Sequence, residues 1–140
     1  MTDKDVKPLN WKPEPGIGYI AMRRPDGGMQ ITFMDVSKAT LLHWRGFALS
    51  HLYDSDRLTR NLYDLRAILD LPEEAIQVAL EVNSDPSVRN LRLAVVVANE
   101  HVRHAVLQIA ALTPGGVEMD VFTDIDQAES WLSRPLTMVL

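Results

Sequence analysis

His101 and His104 stand three residues apart with Glu100 beside them, a spacing that on a helix puts both imidazoles on one face, within reach of one metal ion. No third ligand is suggested by spacing, and the pair flanks the apolar stripe of its helix instead of lying in it. Solvated helix surface is therefore the expectation, with no metal and no cofactor. Asp35, Asp64 and Asp70 fall at or near the C-terminal ends of strands, where open α/β sheets gather their ligand sites. Carboxylates there could hold magnesium around a phosphorylated aspartate, but that chemistry needs a paired acidic cluster after the first strand and a lysine after the last. The four lysines, Lys4, Lys7, Lys12 and Lys38, all come too early. The serines lack a Gly-x-Ser-x-Gly elbow, no phosphate-binding glycine loop follows a strand, and Gly16-Ile17-Gly18 precedes one. No catalytic residue is assigned.

Asp64 and Arg66 differ from the other charges. In a strand they project to the same face, with Leu65 on the other, so they can pair with each other, fasten the sheet to a loop, or meet a ligand or partner. With Asp70 and Asn99 they are the candidate ligand or partner contacts at the strand ends. A separate candidate interface is the stripe His43, Trp44, Phe47 and His51. On the non-core side of a helix, four rings make an apolar patch that a monomer rarely leaves wet. Three coverings compete for it: another part of the chain, such as the N-terminal arm with Trp11 or the tail Leu136 to Leu140, a second copy in a homodimer, or a ligand.

These residues need elements to position them. The first fifteen carry Pro8, Pro13 and Pro15 among charges and read as an extended arm that Trp11 pins by burying its ring. Tyr19 to Met22, then Pro25-Asp26-Gly27-Gly28, then alternating Met29 to Asp35 make a β-hairpin. Ser37 caps a helix to about Tyr53 whose core side is Leu41, Leu42, Ala48, Leu49 and Leu52. After the break at Asp54-Ser55-Asp56, Asn61 to Leu69 alternates as a strand. Asp70-Leu71-Pro72-Glu73 has the spacing of a capping box for the next helix, which buries Ala75, Ile76, Ala79 and Leu80. Leu91 to Ala98 reads as a strand covered on both faces. Asn99 caps a third helix to about Leu112 with Val102, Ala105, Val106 and Ile109 inward. Val117 to Phe122 is a half-exposed strand, and Asp124 or Asp126 opens a short helix carrying Ala128, Trp131 and Leu132. The order is β-β-α-β-α-β-α-β-α. The fold class is α/β with a mixed sheet, the opening hairpin antiparallel at one edge and the later strands mainly parallel. One domain over 16–134 is expected between an arm, 1–15, and a tail, 135–140.

Composition narrows the partners. The 140 residues are 46% apolar with a formal net charge of −5, enough for one core and wrong in sign for a phosphate-backbone binder. Nucleic acid is not expected as a partner. There is no cysteine for a disulfide or a thiolate. The longest apolar run, Leu93 to Ala98, is far short of the roughly 20 residues that span a bilayer, so no membrane span is expected, and the N-terminus has no apolar leader core. A soluble, cytoplasmic protein is the expectation.

Three stretches together carry a resemblance: Leu62-Tyr63-Asp64-Leu65-Arg66, Leu93-Ala94-Val95-Val96-Val97-Ala98-Asn99, and the ending from Val121-Phe122 through Ala128-Glu129-Ser130-Trp131-Leu132. In this order and spacing the chain resembles the stand-alone bacterial SpoIIAA-like family, related to STAS and CRAL-TRIO domains, over about Gly18 to Ser133. The resemblance implies a small regulatory or binding module, not an enzyme, with a protein partner or a second copy as its target. The anti-sigma-antagonist type is switched by phosphorylation of a serine or threonine at the start of the helix after the Asp-Leu strand. Here Ala67 to Glu73 offers no hydroxyl, so that switch does not carry over. The alternative is a small apolar-ligand or lipid carrier of CRAL-TRIO-like type, using a pocket beneath the first two helices near Asp64 and Arg66.

Overall fold

The computed structural model describes residues 11–52, 58–86, 88–115 and 117–135, without the Leu52 side chain. The elements are β1 (Tyr19–Arg23), β2 (Met29–Phe33), α1 (Lys38–Leu52), β3 (Thr59–Asp64), α2 (Glu73–Asn83), β4 (Leu91–Val96), α3 (Glu100–Leu112), β5 (Val117–Phe122) and α4 (Ile125–Leu132). They form one five-stranded sheet in sequence order, β1 antiparallel to β2 and every later pair parallel. The expected element order and mixed sheet are what the chain adopts. The proposed break at 54–56, the tail 136–140 and the first ten residues of the arm lie outside the described residues.

Topology dictates the layers. From β2 to β5 each crossover steps one strand in the same direction, and right-handed crossovers that never reverse must lay all their helices on one face. Accordingly α1, α2 and α3 share the large core on that face, while α4 returns to the other over Leu62, Ala94 and Val96 with its own Ala128 and Leu132. Next to it, Ile20 and Met22 of β1 stay exposed on the same face.

Local chemistry sets the boundaries. Gly27 supplies the positive φ of the hairpin turn, and its amide donates to the Arg24 carbonyl. Ser37 Oγ accepts from the Thr40 amide at the start of α1, and Asn99 Oδ1 accepts from the Val102 amide at the start of α3, both as expected. Asp35, one of the strand-end carboxylates, belongs to the first cap: its Oδ1 accepts from the Ser37 amide and the Thr40 hydroxyl. The Thr40 hydroxyl, followed by the Ser37 amide, holds its carboxyl below the usual range.

α1 corrects the expected interface. Trp44 and Phe47 are 5% and 8% exposed and belong to the core, whereas Leu42 is largely in water. The buried face is Thr40, Leu41, Trp44, Phe47 and Ala48, roughly a quarter-turn from the leucine stripe. Area decides between the two stripes, because aromatic rings bury more surface per residue than leucine. The sheet beneath presents rings to match: Phe33 and Tyr63 both meet Trp44 edge-on, at 6.1 and 5.8 Å between centroids. Tyr19 stacks obliquely on Trp11, so the arm's tryptophan packs on the domain. His43 Nδ1 lies 2.7 Å from the Tyr19 hydroxyl, and the half-buried His51 donates from Nδ1 to the Phe47 carbonyl. Burial pushes Tyr19 up to about 12. Trp44 and Phe47 are therefore interior, His43 and His51 lie half-buried at their margin, and the four rings do not form a wet apolar patch.

Two features of the fold had no signal along the chain. Asn61, fully buried in β3, uses Oδ1 to accept from the Met29 amide one residue before the β2–β3 ladder begins. At the far end of α4, three arginines clasp the helix. Arg24 grips Glu129 through both terminal nitrogens, Arg60 donates to the carbonyls of Leu132 and Arg134, and Arg92 donates to those of Trp131 and Arg134. Cations at a helix C-terminus satisfy its orphan carbonyls and complement its dipole.

Candidate functional site

Asp64, Arg66, Asp70 and Asn99 converge on one place, the loop joining β3 to α2. The alternation from Asn61 predicts a strand to Leu69, but β3 ends at Asp64. Beyond it Leu65, Ile68 and Leu71 are buried as anchors, and the loop turns Arg66, Ala67, Leu69 and Asp70 outward. The period-two pattern groups Leu65 with Ala67 and Leu69, but the residues that go inward are three apart, Leu65, Ile68 and Leu71, in a turn closed by the Ile68 amide on the Leu65 carbonyl.

Side chains fix this loop from both flanks. Asp64 Oδ1 accepts from the Arg66 amide at 3.0 Å, and its two oxygens take Nε and Nη2 of Arg66 at 3.0 and 2.8 Å. This is the side-on pair that planar guanidinium and carboxylate groups favour. Arg66 holds the carboxyl of the buried Asp64 below its usual range, burial works against it, and the Arg66 amide helps. On the other flank Asn99 uses one amide arm to cap α3 and the other, Nδ2, to hold the Leu69 carbonyl at 3.2 Å. Asp70 pairs with His101 Nε2 on α3. Asp70 is thus a tie between the loop and α3, which corrects its expected role as a helix cap. α2 begins at Glu73 with Pro72 at the capping position; its carbonyl accepts from the Ala75 and Ile76 amides, and there is no side-chain cap because a proline ring carries no acceptor.

Leu69 projects from the middle of this fastened loop, 77% exposed. Nothing in the sequence marked it, since it falls on the apparent strand pattern. Arg66 lies beside it with its side chain half in water. His104 is exposed on α3, and among the described residues no three His, Cys, Asp or Glu side chains gather as a metal site. The loop can present an apolar residue, a guanidinium and a carboxylate on a backbone that does not need to reorganise. Because folding lowers the Asp64 pKa, the stability that the pair contributes is present above the unfolded carboxylate value near 3.9 and is lost as pH falls through the lower folded value. Asp64→Asn should cost about 1 kcal/mol, reduced from a buried pair by the exposure of Arg66, and should flatten that acid limb in urea melts followed from pH 7 to 2.

No protein-family model and no curated protein matches this sequence. Among solved structures, the fold matches an uncharacterized protein of the DUF3478 family from Shewanella loihica PV-4, described as having a SpoIIAA-like fold. The match covers 87% of this chain and 99% of that one with a TM-score of 0.63 and 18% sequence identity. The fold of this chain is SpoIIAA-like. No helix among the described residues is long and apolar enough to cross a membrane.

Proposed function

We propose that this protein is a non-catalytic binding module that meets a protein partner through the β3–α2 loop. The observation that supports it is Leu69, held out in water by a loop that Asp64 and Asn99 tie down on either side. An apolar side chain on a fixed backbone loses little conformational entropy on binding, and the adjoining Arg66 and Asp70 supply a polar rim. Its position at the C-terminal ends of the parallel strands is where such sheets carry their sites. In the anti-sigma-antagonist type that the sequence resembles, the corresponding stretch carries the regulatory phosphorylation. Here no hydroxyl stands between Ala67 and Glu73, and the contact is a constitutive one.

The test is Leu69→Asp. The variant should melt within about 2 °C of wild type, as exposed substitutions do, and should lose the partner that a photo-crosslinking residue at exposed position 67 captures in the wild-type background. Unchanged capture by the variant would refute the loop as the contact.

A second reading, carriage of a small apolar ligand, is favoured by a cavity of about 60 Å³ beneath α1, α2 and α3. It is lined by Tyr63 and Leu65, so it lies against the helix-covered face; Asp64 and Arg66 take no part in it, contrary to the expected pocket near them. Its volume is under half of the ~150 Å³ that admits benzene. An acyl chain has no room there, and the carrier reading is confined to molecules of a few non-hydrogen atoms.

A further inference from the structure

We infer that the segment Leu136 to Leu140 docks on the uncovered face of β1 and β2, with Ile20 and Met22 as its seat. This contact is separate from the one proposed for the β3–α2 loop and does not depend on it.

The strand register lays that face out in rows. Arg24, Arg60 and Arg92 share the first: the Arg24 amide donates to the Gly28 carbonyl, Gly28 lies against the Arg60 carbonyl, and Arg60 is paired with Arg92. Met22, Gln30 and Leu62 form the second row, and Ile20, Thr32 and Asp64 the third. Alternate residues of a strand share a face, so all three rows look toward the α4 side. α4 covers the far part of it, packing on Leu62, Ala94 and Val96. On β1, Ile20 and Met22 are left 43% and 56% exposed, with Gln30 and Thr32 half-buried between them and the helix. The result is a shelf beside α4, about 10 Å deep, the thickness of a helix, with an apolar floor at its outer side.

The arginine clasp brings the chain to this shelf. Arg60 and Arg92 both donate to the Arg134 carbonyl, which fixes the exit from α4 over the first row, between β3 and β4. Pro135 follows, and a proline does not continue the helix. The next five residues, Leu-Thr-Met-Val-Leu, carry four apolar side chains and no charge. A segment that stays in solvent has the opposite composition, polar and charged with little to bury. In an extended chain Leu136, Met138 and Leu140 share one face, and Thr137 projects from the other. Reach agrees with composition. From β3 to Met22 is two strand spacings across and one row up, about 12 Å, and Ile20 is about 7 Å further. Six extended residues from Pro135 span about 20 Å. The Arg24–Glu129 pair bridges β1 to α4 at the first row, so the segment passes over it before descending on Met22.

The chain has no cysteine, so Thr137→Cys carries a single nitroxide, placed on the side of the segment that faces away from the shelf. In 15N-labelled protein the nitroxide should remove most of the signal from the amides of Met22, Gln30 and Thr32 and leave those of α3, across the sheet, intact. Adding Met22→Asp, a change at an exposed position, should restore the Gln30 and Thr32 signals, with the remaining amide spectrum in place as the check that the domain is folded. Full signals at Met22, Gln30 and Thr32 beside the nitroxide would refute the docking. Loss of signal that persists undiminished in the Met22→Asp background would place the segment near the shelf but not on its floor, and would also overturn the inference. A nitroxide carried by unlabelled chains that broadens the same amides of 15N-labelled chains would show that a second copy occupies the shelf, against the assignment to the chain's own segment. None of these outcomes bears on capture by the loop, so the two proposals fail separately.

Discussion

Gly28→Ala should leave the protein without a cooperative melt at room temperature, the largest effect expected of any single methyl group added to this chain. Gly28 is buried just ahead of β2, where the hairpin delivers the chain alongside β3. A Cβ placed there would sit 1.7 Å from the Arg60 carbonyl oxygen and 2.7 Å from its carbon. The obstacle is backbone in a paired strand and cannot rotate away. Relief requires β2 and β3 to separate, which breaks the parallel ladder that starts at Gln30 and Leu62 and the Asn61 bond to the Met29 amide. A penalty above about 4 kcal/mol is in the exceptional range for a point substitution and is comparable with the whole stability of a marginal domain. Gly27→Ala is the control. Its φ of +91° is unfavourable for alanine, but the space around it is open, so strain of about 1 kcal/mol is expected. Equal melting temperatures for the two variants by circular dichroism would contradict the close approach of β2 to β3.

Arg92→Ala should be the most damaging loss of a side chain outside the apolar core. Arg92 is 2% exposed, donates Nε to Glu118 Oε1 at 2.8 Å, and lies 5.4 Å from the centre of the Trp131 ring. Its removal takes away the C-terminal partner of α4, leaves the Trp131 and Arg134 carbonyls short of a donor, and opens a void beneath the indole. Breaking a buried ion pair costs 3–5 kcal/mol, and Glu118 can rehydrate, so the lower end applies: about 3 kcal/mol, or roughly 10 °C in melting temperature. Arg92→Lys should recover less than half of that, because an ammonium cannot reach the carboxylate and the helix carbonyls at once. The loss should appear as early release of α4, seen in faster hydrogen exchange at the Ala128 and Ser133 amides, whose acceptors are Asp124 and Glu129. Uniform exchange across the molecule would place the role of Arg92 elsewhere.

Much of the architecture was legible because its signals are local. Pro25-Asp26-Gly27 announces a turn, Asn99 a cap, and the unbroken apolar run from Leu93 a strand covered on both sides. The face of α1 was not, because that helix is apolar around most of its circumference and its own periodicity does not choose between leucines and rings. The choice is made by Phe33 and Tyr63 on the sheet below. The end of β3 is not legible because the apolar alternation runs on through Leu65, Ala67 and Leu69, while the chain turns and buries Leu65 and Ile68 instead. The site was half legible. Asp64, Arg66, Asp70 and Asn99 were marked as strand-end residues, but their convergence needs the β3–α2 loop to lie against the start of α3, and their common product, the display of Leu69, appears only with the turn in place. The arginine clasp depends on the register of the strands and on partners that lie from 39 to 105 residues further along the chain, which no window contains.

The loop contact is tested most directly by cross-linking from two exposed positions in the otherwise unchanged protein, one photoreactive residue at 67 on the loop and one at 108 on the outer face of α3. The expected result is one protein adduct from position 67 that unlabelled wild-type protein competes away, with none above background from position 108. Equal adducts from both positions, or none from 67 while 108 captures the partner, would contradict the loop as the contact surface.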